Sequence, residues 1–390
     1  MQVAPYPIIK VPFLLSITEV PKYAMQGENM SRESVLKKLK EWENSSSDKK
    51  IVAGFDGFVD TTVRPIFKVA TRDRQAQMFE TISDFADFIK SKAEKSCSIE
   101  LKVESKSLGG NMPFLSQAVG TLGFDVECVG MLGELGNPEE IFRQLPGECY
   151  SFMPPGPSTC LEFNDGKILL APTVELEGSP WQKVLEATDD KATKMFSNAD
   201  LVALVNWSEL TFSQTLWNET YEAAFLDQVT DKSKTVLFDL CDISRKSKEE
   251  IKEVLRLIGK FSSKRTGVLS LNENEALVIG DTVFGGIKDP EEIATRIKAD
   301  YRIDEVIIHG VYFSLMLTKR GKVFKDTIFV EKPVKTTGAG DHYNGALVAG
   351  ILLDFEDEEK IELAHYVANF YVSKGQSPCV RKLIEHIKEI

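Results

Sequence analysis

Three features are scarce in this chain of 390 residues: paired cysteines, an excess of basic residues and long apolar runs. The six cysteines are scattered without a C-x-x-C pair, which argues against metal ligation and favours a reducing compartment. Acidic residues outnumber basic ones by 59 to 47, and the net charge of −12 argues against general nucleic-acid binding and against an anionic membrane surface. No run of about 18 apolar residues occurs, so no membrane-spanning segment is predicted.

The rest of the composition is that of a globular protein, with 43% hydrophobic and 27% charged residues. A chain of this length is expected to form one large domain, or a domain with a small appendage. Residues 1–50 are interpreted as an N-terminal extension, with helical spacing at 31–42. The short apolar run at 8–15 is a poor signal peptide because a lysine and a proline interrupt it, so we expect a cytoplasmic protein.

From residue 51 onward, short apolar runs alternate with helical patterns. That alternation predicts an α/β fold with a central, mostly parallel sheet and helices on both faces, within one domain at 51–390. The predicted buried strands are 51–56, 201–205, 235–240, 268–271 and 306–309.

Other segments alternate polar and apolar residues, which is typical of strands with one wet face. These segments are drawn from about 61–76, 98–108 and 158–173, and the last contains an Asp165-Gly166 hairpin turn. We interpret them as a small β-sheet lid over the main sheet. A lid with an apolar face could also pair with a second copy, so a homodimer through the lid is expected.

The most informative stretch is Thr336-Thr337-Gly338-Ala339-Gly340-Asp341, followed by a helical pattern. Small residues before a helix N-terminus leave backbone N–H groups free to bind a phosphate oxygen. The Asp341 carboxylate would repel a bound phosphate, which favours a site that passes a phosphoryl group to an acceptor deprotonated by Asp341. The alternative is simple N-capping of the helix.

Two polar groups earlier in the chain are candidates for substrate binding. Asp60 follows the first buried strand, the position at which open α/β sheets bind ligands. Gly109, Gly110 and Asn111 open a helix, where glycines allow close backbone approach and the asparagine offers both a donor and an acceptor to a sugar hydroxyl. The alternatives are a turn aspartate and ordinary helix capping.

A third candidate is the pair Asn272 and Glu275, which follow a predicted strand. Residues three apart share one face of a helical turn, and an amide with a carboxylate could hold a hydrated Mg²⁺. The same spacing also fits a capping box, and the two interpretations are compatible.

Taken together, these motifs resemble those of the ribokinase / PfkB family of carbohydrate kinases. Residues 336–346 resemble its C-terminal signature, 109–133 resemble its Gly-Gly signature, and Asn272-x-x-Glu275 matches its N-x-x-E motif. Asp239 ends a strand where the family often has an aspartate. The resemblance covers about residues 51–385 and implies a ribokinase-like fold.

The resemblance also implies an activity, the transfer of the γ-phosphoryl group of ATP to a hydroxyl of a sugar. It implies Asp341 as general base, Gly338, Ala339 and Gly340 as an anion hole, and Asp60, Gly109, Gly110 and Asn111 as substrate-binding residues. It places Asn272, Gly310 and Thr337 beside the nucleotide, and Asn272 with Glu275 at Mg²⁺; a monovalent cation is an open alternative among the cofactors.

The chain departs from the family pattern at three places. His342-Tyr343 replaces Thr-Phe after the aspartate, Ile308-His309-Gly310 replaces Thr-Leu-Gly, and Pro113-Phe114-Leu115 stands where an asparagine is common. Phe114 and the changed 308–310 segment keep open a nucleoside, pyridoxal-type or ADP-dependent sugar kinase of the same fold. A non-catalytic nucleotide or sugar sensor is the other alternative.

Overall fold

Helices and strands alternate along most of the chain, which the computed structural model describes over residues 22–390. The helices are α1 (Lys22–Trp42), α2 (Ile82–Ser91), α3 (Asn111–Thr121), α4 (Pro180–Ala187), α5 (Ala192–Asn198), α6 (Ser213–Ala224), α7 (Lys248–Lys264), α8 (Glu273–Thr282), α9 (Pro290–Tyr301), α10 (Ala339–Leu352), α11 (Asp357–Lys374) and α12 (Val380–Glu389). The strands are β1 (Ile51–Phe55), β2 (Phe58–Lys68), β3 (Gln77–Met78), β4 (Leu101–Gly109), β5 (Glu127–Gly130), β6 (Gly133–Glu134), β7 (Asn137–Pro138), β8 (Cys149–Ser151), β9 (Gly156–Phe163), β10 (Gly166–Leu170), β11 (Leu201–Leu204), β12 (Thr235–Asp239), β13 (Thr266–Asn272), β14 (Glu305–His309), β15 (Phe313–Leu317) and β16 (Lys322–Asp326).

The main sheet has nine strands in the order β16-β15-β14-β13-β12-β11-β1-β5-β8. Neighbours from β14 to β8 are parallel, and β15 and β16 extend that edge as antiparallel strands. The mostly parallel sheet predicted from the alternation of elements is therefore confirmed. Sequence order runs outward in both directions from β1, so the topological switch point lies between β1 and β11.

Both faces of this sheet are covered, which explains why its central strands β1, β11 and β12 are buried along their whole length and mostly apolar. In β1, Ile51 and Ala53 face the layer that contains α1, α3, α10, α11 and α12, whereas Val52 faces the opposite layer. Successive side chains of one strand thus pack into two separate cores, because the side chains of a β-strand point alternately to opposite faces of the sheet.

A second, smaller sheet is formed by β2, β3, β4, β9 and β10, and we call it the lid. β2 pairs in parallel with β9 and antiparallel with β4, and α2 covers one face of the sheet through Val63, Phe79 and Leu161. A small separate sheet was predicted and is confirmed as part of the fold. β2 starts at Phe58, so Asp60 lies within a strand, which removes its interpretation as a turn aspartate.

The helix predicted at 31–42 belongs to a longer helix, α1, which packs on α11 and α12. Val35 and Leu39 are buried in the same core as those helices, and the Trp42 indole donates a hydrogen bond to the carbonyl of Leu122 at 2.7 Å. This part of the N-terminal extension therefore adds a helix to the outer layer of the sheet. The expectations for residues 1–21 lie outside the described residues.

Within residues 22–390, no helix combines the length and the apolar composition that crossing a bilayer requires.

Candidate active site

The carboxyl ends of β1 and β11 meet at the switch point of the main sheet and place two polar side chains together. Asp56 follows β1 and is fully buried, and Asn206 follows β11 with a left-handed φ of 55°. The Asn206 amide donates to Asp56 Oδ2 at 2.8 Å. Neither residue was predicted to be functional from the sequence, where Asp60 was selected and Asp56 was counted as the last residue of the strand at 51–56.

Asp56 also caps helix α3, whose N-cap residue Gly110 has no side chain to offer. The backbone N–H groups of Asn111 and Met112 donate to the Asp56 carboxylate at 2.7 and 2.8 Å. Burial raises the pKa of Asp56 to about 7, although these bonds and the one from Asn206 favour its ionised form. A carboxylate at this helix N-terminus is also stabilised by the helix dipole.

The two glycines before α3 are needed for close packing against carboxylates. A Cβ on Gly109 would lie 2.5 Å from Asp60 Oδ1, and one on Gly110 would lie 2.8 Å from Asp56 Oδ2. Gly110 also has a φ of +95°, a region that residues with a side chain rarely adopt. The double glycine therefore brings Asp56, Asp60 and the start of α3 together.

Asp60 points from the lid toward this helix start. Its β-sheet partners are Ser107 on β4 and Ser158 on β9, and Ser158 hydrogen-bonds its carboxylate. Partial burial raises the pKa of Asp60, and the charge of Lys335 acts in the opposite direction. The lid thus contributes a hydrogen-bonded carboxylate to the cleft.

Residues 336–340, which we call the anion turn, lead into α10. Gly338 is the N-cap residue with a φ of 88°, and no side chain caps the helix. The Ala339 N–H donates to the carbonyl of Thr336 at 3.1 Å, so one N–H of the expected anion hole is already engaged within the turn. The N–H groups of the next residues are those that a helix start leaves without intrahelical partners.

Asp341 lies in the first turn of α10 and faces the start of α3. The Asn111 side chain hydrogen-bonds the Asp341 carboxyl, so two residues predicted from separate motifs are in contact. Burial raises the pKa of Asp341 well above its usual range, and the negative charges of Asp239 and Asp56 raise it further. A carboxylate with a raised pKa is a stronger base, which suits deprotonation of a hydroxyl.

A buried hydrogen-bonded chain lies behind Asp341. Asn344, one turn further along α10, donates to Asp239 Oδ2 at 2.6 Å and accepts from Ser270 at 2.6 Å. The Cys241 N–H donates to Asp239 Oδ1 at 2.8 Å, and burial raises the pKa of Asp239 to about 6. This chain fixes α10 to the ends of β12 and β13.

Asn272 and Glu275 form the capping box that was one of their two predicted roles. Asn272 accepts from the Glu275 N–H at 2.9 Å, and both Glu275 carboxylate oxygens accept from Asn272, at 2.6 and 2.9 Å. Burial raises the pKa of Glu275, and the charges of Asp239 and Asp341 add to the effect. Within residues 22–390, no group of three or more histidine, cysteine or acidic residues is arranged to hold a metal ion.

The residues expected beside a nucleotide lie along the same edge of the sheet. Asn272 and His309 are partners at the ends of β13 and β14, and Gly310 follows directly. The His309 ring comes within 3.5 Å of the Cβ position of Gly340 and stacks on Tyr343. The end of β14 is therefore adjacent to the anion turn.

A family model and a relative that covers most of the chain point to the same family. A model of the prokaryotic ketohexokinase family matches residues 28–389. A ketohexokinase from Haloferax volcanii is 24% identical over 340 residues, which cover 86% of this chain and 89% of that protein. A 5-dehydro-2-deoxygluconokinase from Geobacillus kaustophilus is 34% identical over 91 residues, which cover 23% of this chain and 27% of that protein.

Solved structures share the fold over nearly their whole length. A ribokinase from Thermotoga maritima has a TM-score of 0.58 at 16% identity, covering 87% of this chain and 99% of that one. An adenosine kinase from Sinorhizobium meliloti has a TM-score of 0.59 at 17% identity, covering 88% and 99%. At these identities the likeness establishes the ribokinase fold, and it leaves the acceptor to be argued from the site.

Proposed function

This chain belongs to the prokaryotic ketohexokinase family and is an ATP-dependent sugar kinase, and from that premise we propose that its acceptor is a ketohexose and that Asp341 is the general base. One observation carries the choice of base. Asp341 is the carboxylate that stands in the first turn of an uncapped helix, beside the anion turn and in contact with Asn111 at the substrate side.

In this mechanism the acceptor hydroxyl lies between Asp341 and the anion turn. Asp341 takes the hydroxyl proton as the oxygen attacks the γ-phosphorus of ATP, and ADP leaves. Backbone N–H groups at the start of α10, among them those of Gly340 and Asp341, would donate to the transferring phosphoryl group, and the helix dipole would favour its negative charge. Asn111 holds the base in place, and Asp56 holds the N-terminus of α3.

We further propose that Mg²⁺ accompanies ATP and that Asn272 and Glu275 face it through water. Both carboxylate oxygens of Glu275 are engaged in the capping box, which favours an indirect role over direct ligation. When bound, Mg²⁺ neutralises the nucleotide phosphates. Gly310 and Thr337 would lie beside the nucleotide. Whether the activity depends on a monovalent cation is tested by measuring the rate with added K⁺ or Na⁺.

The remaining roles concern the lid and the assembly. The lid would close over the sugar and exclude water as a competing acceptor, with Asp60 as its contribution to the sugar site.

The lid also has an exposed apolar surface. Its edge strand β4 exposes Leu101 and Val103 by 46% and 57%, and we propose that a homodimer forms through this face. A Val103→Glu variant should then sediment as a monomer, and an unchanged mass would reject the dimer. An ATP-dependent activity favours a cytoplasmic location.

The test is a coupled ADP-release assay with MgATP against ketohexoses, aldohexoses, ribose, a ketose acid and adenosine. We expect turnover with a ketohexose at a kcat/KM at least tenfold above every other acceptor, since differences of one or two polar contacts have about that size. A preference for adenosine or for the ketose acid would overturn the proposed acceptor. ADP formation that does not depend on any sugar would overturn the proposed reaction.

A further inference from the structure

Lys335 directly precedes the anion turn and has no role in the mechanism above. The backbone here is anchored to the end of α11, because the N–H groups of Val334 and Lys335 both donate to the carbonyl of Val372, at 2.8 and 3.3 Å. The side chain therefore leaves from a fixed position at the border of the cleft.

The Lys335 ammonium lies over two aromatic rings. It is 5.0 Å from the centroid of Phe114 and 5.5 Å from that of Tyr371. Both rings support the anion turn, since a Cβ on Gly338 would lie 3.0 Å from the Tyr371 hydroxyl and 3.2 Å from the Phe114 ring. The rings hold the ammonium by cation–π attraction, which leaves its N–H donors free for a ligand.

The charge that Lys335 faces is that of Asp60 on the lid. Asp60 favours the charged form of Lys335, and Lys335 favours the ionised form of Asp60. In the described part of the chain no carboxylate comes within 4.0 Å of the ammonium. Half-burial lowers the pKa of Lys335, which is the expected result for a cation that has lost water without gaining a contact ion pair. The Asp60 carboxylate of the lid and the Lys335 ammonium of the main domain thus interact at a separation of more than 4.0 Å, and we call the space between them the gap.

The gap lies on the acceptor side of the site. The charges that dominate the surroundings of Asp341 are Asp239 and Asp56, whereas the charged groups around Lys335 are Asp60 and the lid residue Lys167. Asp60 itself borders Gly109 at the start of α3. An oxygen held between Asp60 and Lys335 would therefore be bordered by the lid and by the start of α3.

We propose that Lys335 is an acceptor-binding residue, whose ammonium donates a hydrogen bond to a sugar oxygen that lies between it and Asp60. This inference rests on the proposed function and adds to it the chemistry of the subsite. One donor and one acceptor on opposite sides suit an uncharged hydroxyl group, which can accept from Lys335 and donate to Asp60. Asp60 belongs to the lid and Lys335 to the main domain, so the proposed lid closure would complete the subsite.

The test compares Lys335→Met, Lys335→Arg and Lys332→Met with the unchanged enzyme. Methionine keeps an apolar stem for packing on the rings and removes the donor. Lys332 is an exposed lysine of the same segment and is the matched control. We expect Lys335→Met to raise the acceptor KM about tenfold or more, with kcat and the ATP KM within about threefold, because a hydrogen bond to a charged group has that size. Lys335→Arg should recover part of the loss, and Lys332→Met should behave as the unchanged enzyme.

Three outcomes overturn the proposal. A fall in kcat at unchanged acceptor KM would assign Lys335 to binding of the phosphoryl group. Unchanged kcat and KM values would show that the side chain only packs on the rings. A fall in the thermal stability of Lys335→Met without ligand would make its role structural. Failure of the proposed function looks different, since the unchanged enzyme would then prefer an acceptor other than a ketohexose. The same variants are then measured with that acceptor, and thermal stabilisation by the sugar alone and by ATP alone provides a second readout.

Discussion

The rings of His342 and Tyr371 stack with centroids 3.6 Å apart, and each residue holds one of two consecutive carbonyls of the anion turn. The Tyr371 hydroxyl donates to the carbonyl of Thr337 at 2.8 Å, and His342 Nδ1 lies 2.7 Å from the carbonyl of Gly338. The other ring nitrogen of His342 lies 2.6 Å from the Ser377 hydroxyl, and burial lowers the pKa of His342 to about 4. A neutral imidazole that donates to the Gly338 carbonyl and accepts from the Ser377 hydroxyl gives both ring nitrogens a hydrogen-bond partner.

This arrangement predicts that Gly338 is the residue of the anion turn at which a substitution is least tolerated. Its φ of +88° and the 3.0 Å approach of the Tyr371 hydroxyl both oppose a side chain. We expect Gly338→Ala to lower kcat/KM by about tenfold to a hundredfold, since small displacements of positioned groups have effects of that size. Steady-state kinetics measures it.

The matched comparison for that variant is Gly340→Ala. A Cβ at Gly340 meets only the His309 ring, at 3.5 Å, an ordinary contact, and φ there is not positive. The loss in kcat/KM should therefore be clearly smaller than for Gly338→Ala. Equal losses would show that the backbone conformation of Gly338 is not what the turn requires.

A second prediction concerns Asp341. Asp341→Asn keeps the size of the side chain and can still bond Asn111, but it removes the base. We expect kcat to fall by about 10²- to 10⁴-fold, with the acceptor KM changed by no more than a few-fold. Steady-state kinetics and a separate measurement of sugar binding to the variant test this expectation. A loss of sugar binding as large as the loss of turnover would remove Asp341 from its proposed role.

The pH dependence provides a third prediction. The pKa of Asp341 is raised by burial and then by Asp239 and Asp56, and a general base acts only when ionised. The kcat/KM should therefore increase as pH rises through this pKa and then level off. Asp239→Asn removes a nearby negative charge, so the rising limb should move to lower pH, which a profile between about pH 5 and pH 9 would detect. A limb that stays in place, or moves to higher pH, contradicts the assignment.

A fourth prediction tests whether α1 is an integral part of the domain. Leu39 is 1% exposed and packs in the core with Val35. Leu39→Ala should lower the free energy of unfolding by about 2–5 kcal/mol, the usual cost of truncating a buried leucine. Chemical denaturation measures this change, and Lys40→Ala, at an exposed position of the same helix, should change it by less than about 0.5 kcal/mol. Similar stability of both variants would make α1 a loosely attached appendage.

Phe114 shows how a sequence departure was explained by packing. From the sequence, this apolar residue in place of a common asparagine was one of the departures that kept a nucleoside or pyridoxal-type acceptor open. In the structure Phe114 is 5% exposed and lies between Gly338 and the Lys335 ammonium. Its apolar ring therefore supports the anion turn, and its presence does not require an apolar acceptor.

The sequence by itself determined the mostly parallel sheet, the small second sheet and the sugar-kinase family, because each is a matter of local pattern. Strand runs, alternation and the motif around Asp341 involve residues near one another in the chain. Asp60, Asn111 and Asp341 could each be selected from their own short stretch, and their proposed roles remain predictions.

The tertiary structure alone decided which side chains meet. Strand order brings β11 beside β1, so that Asn206 reaches Asp56, and it places α10 against α3, so that Asp341 reaches Asn111. Burial, which raises the pKa of Asp341, is likewise a property of the folded chain. Neither a meeting of residues 150 or more positions apart nor the loss of water around a carboxylate leaves a local pattern in the sequence.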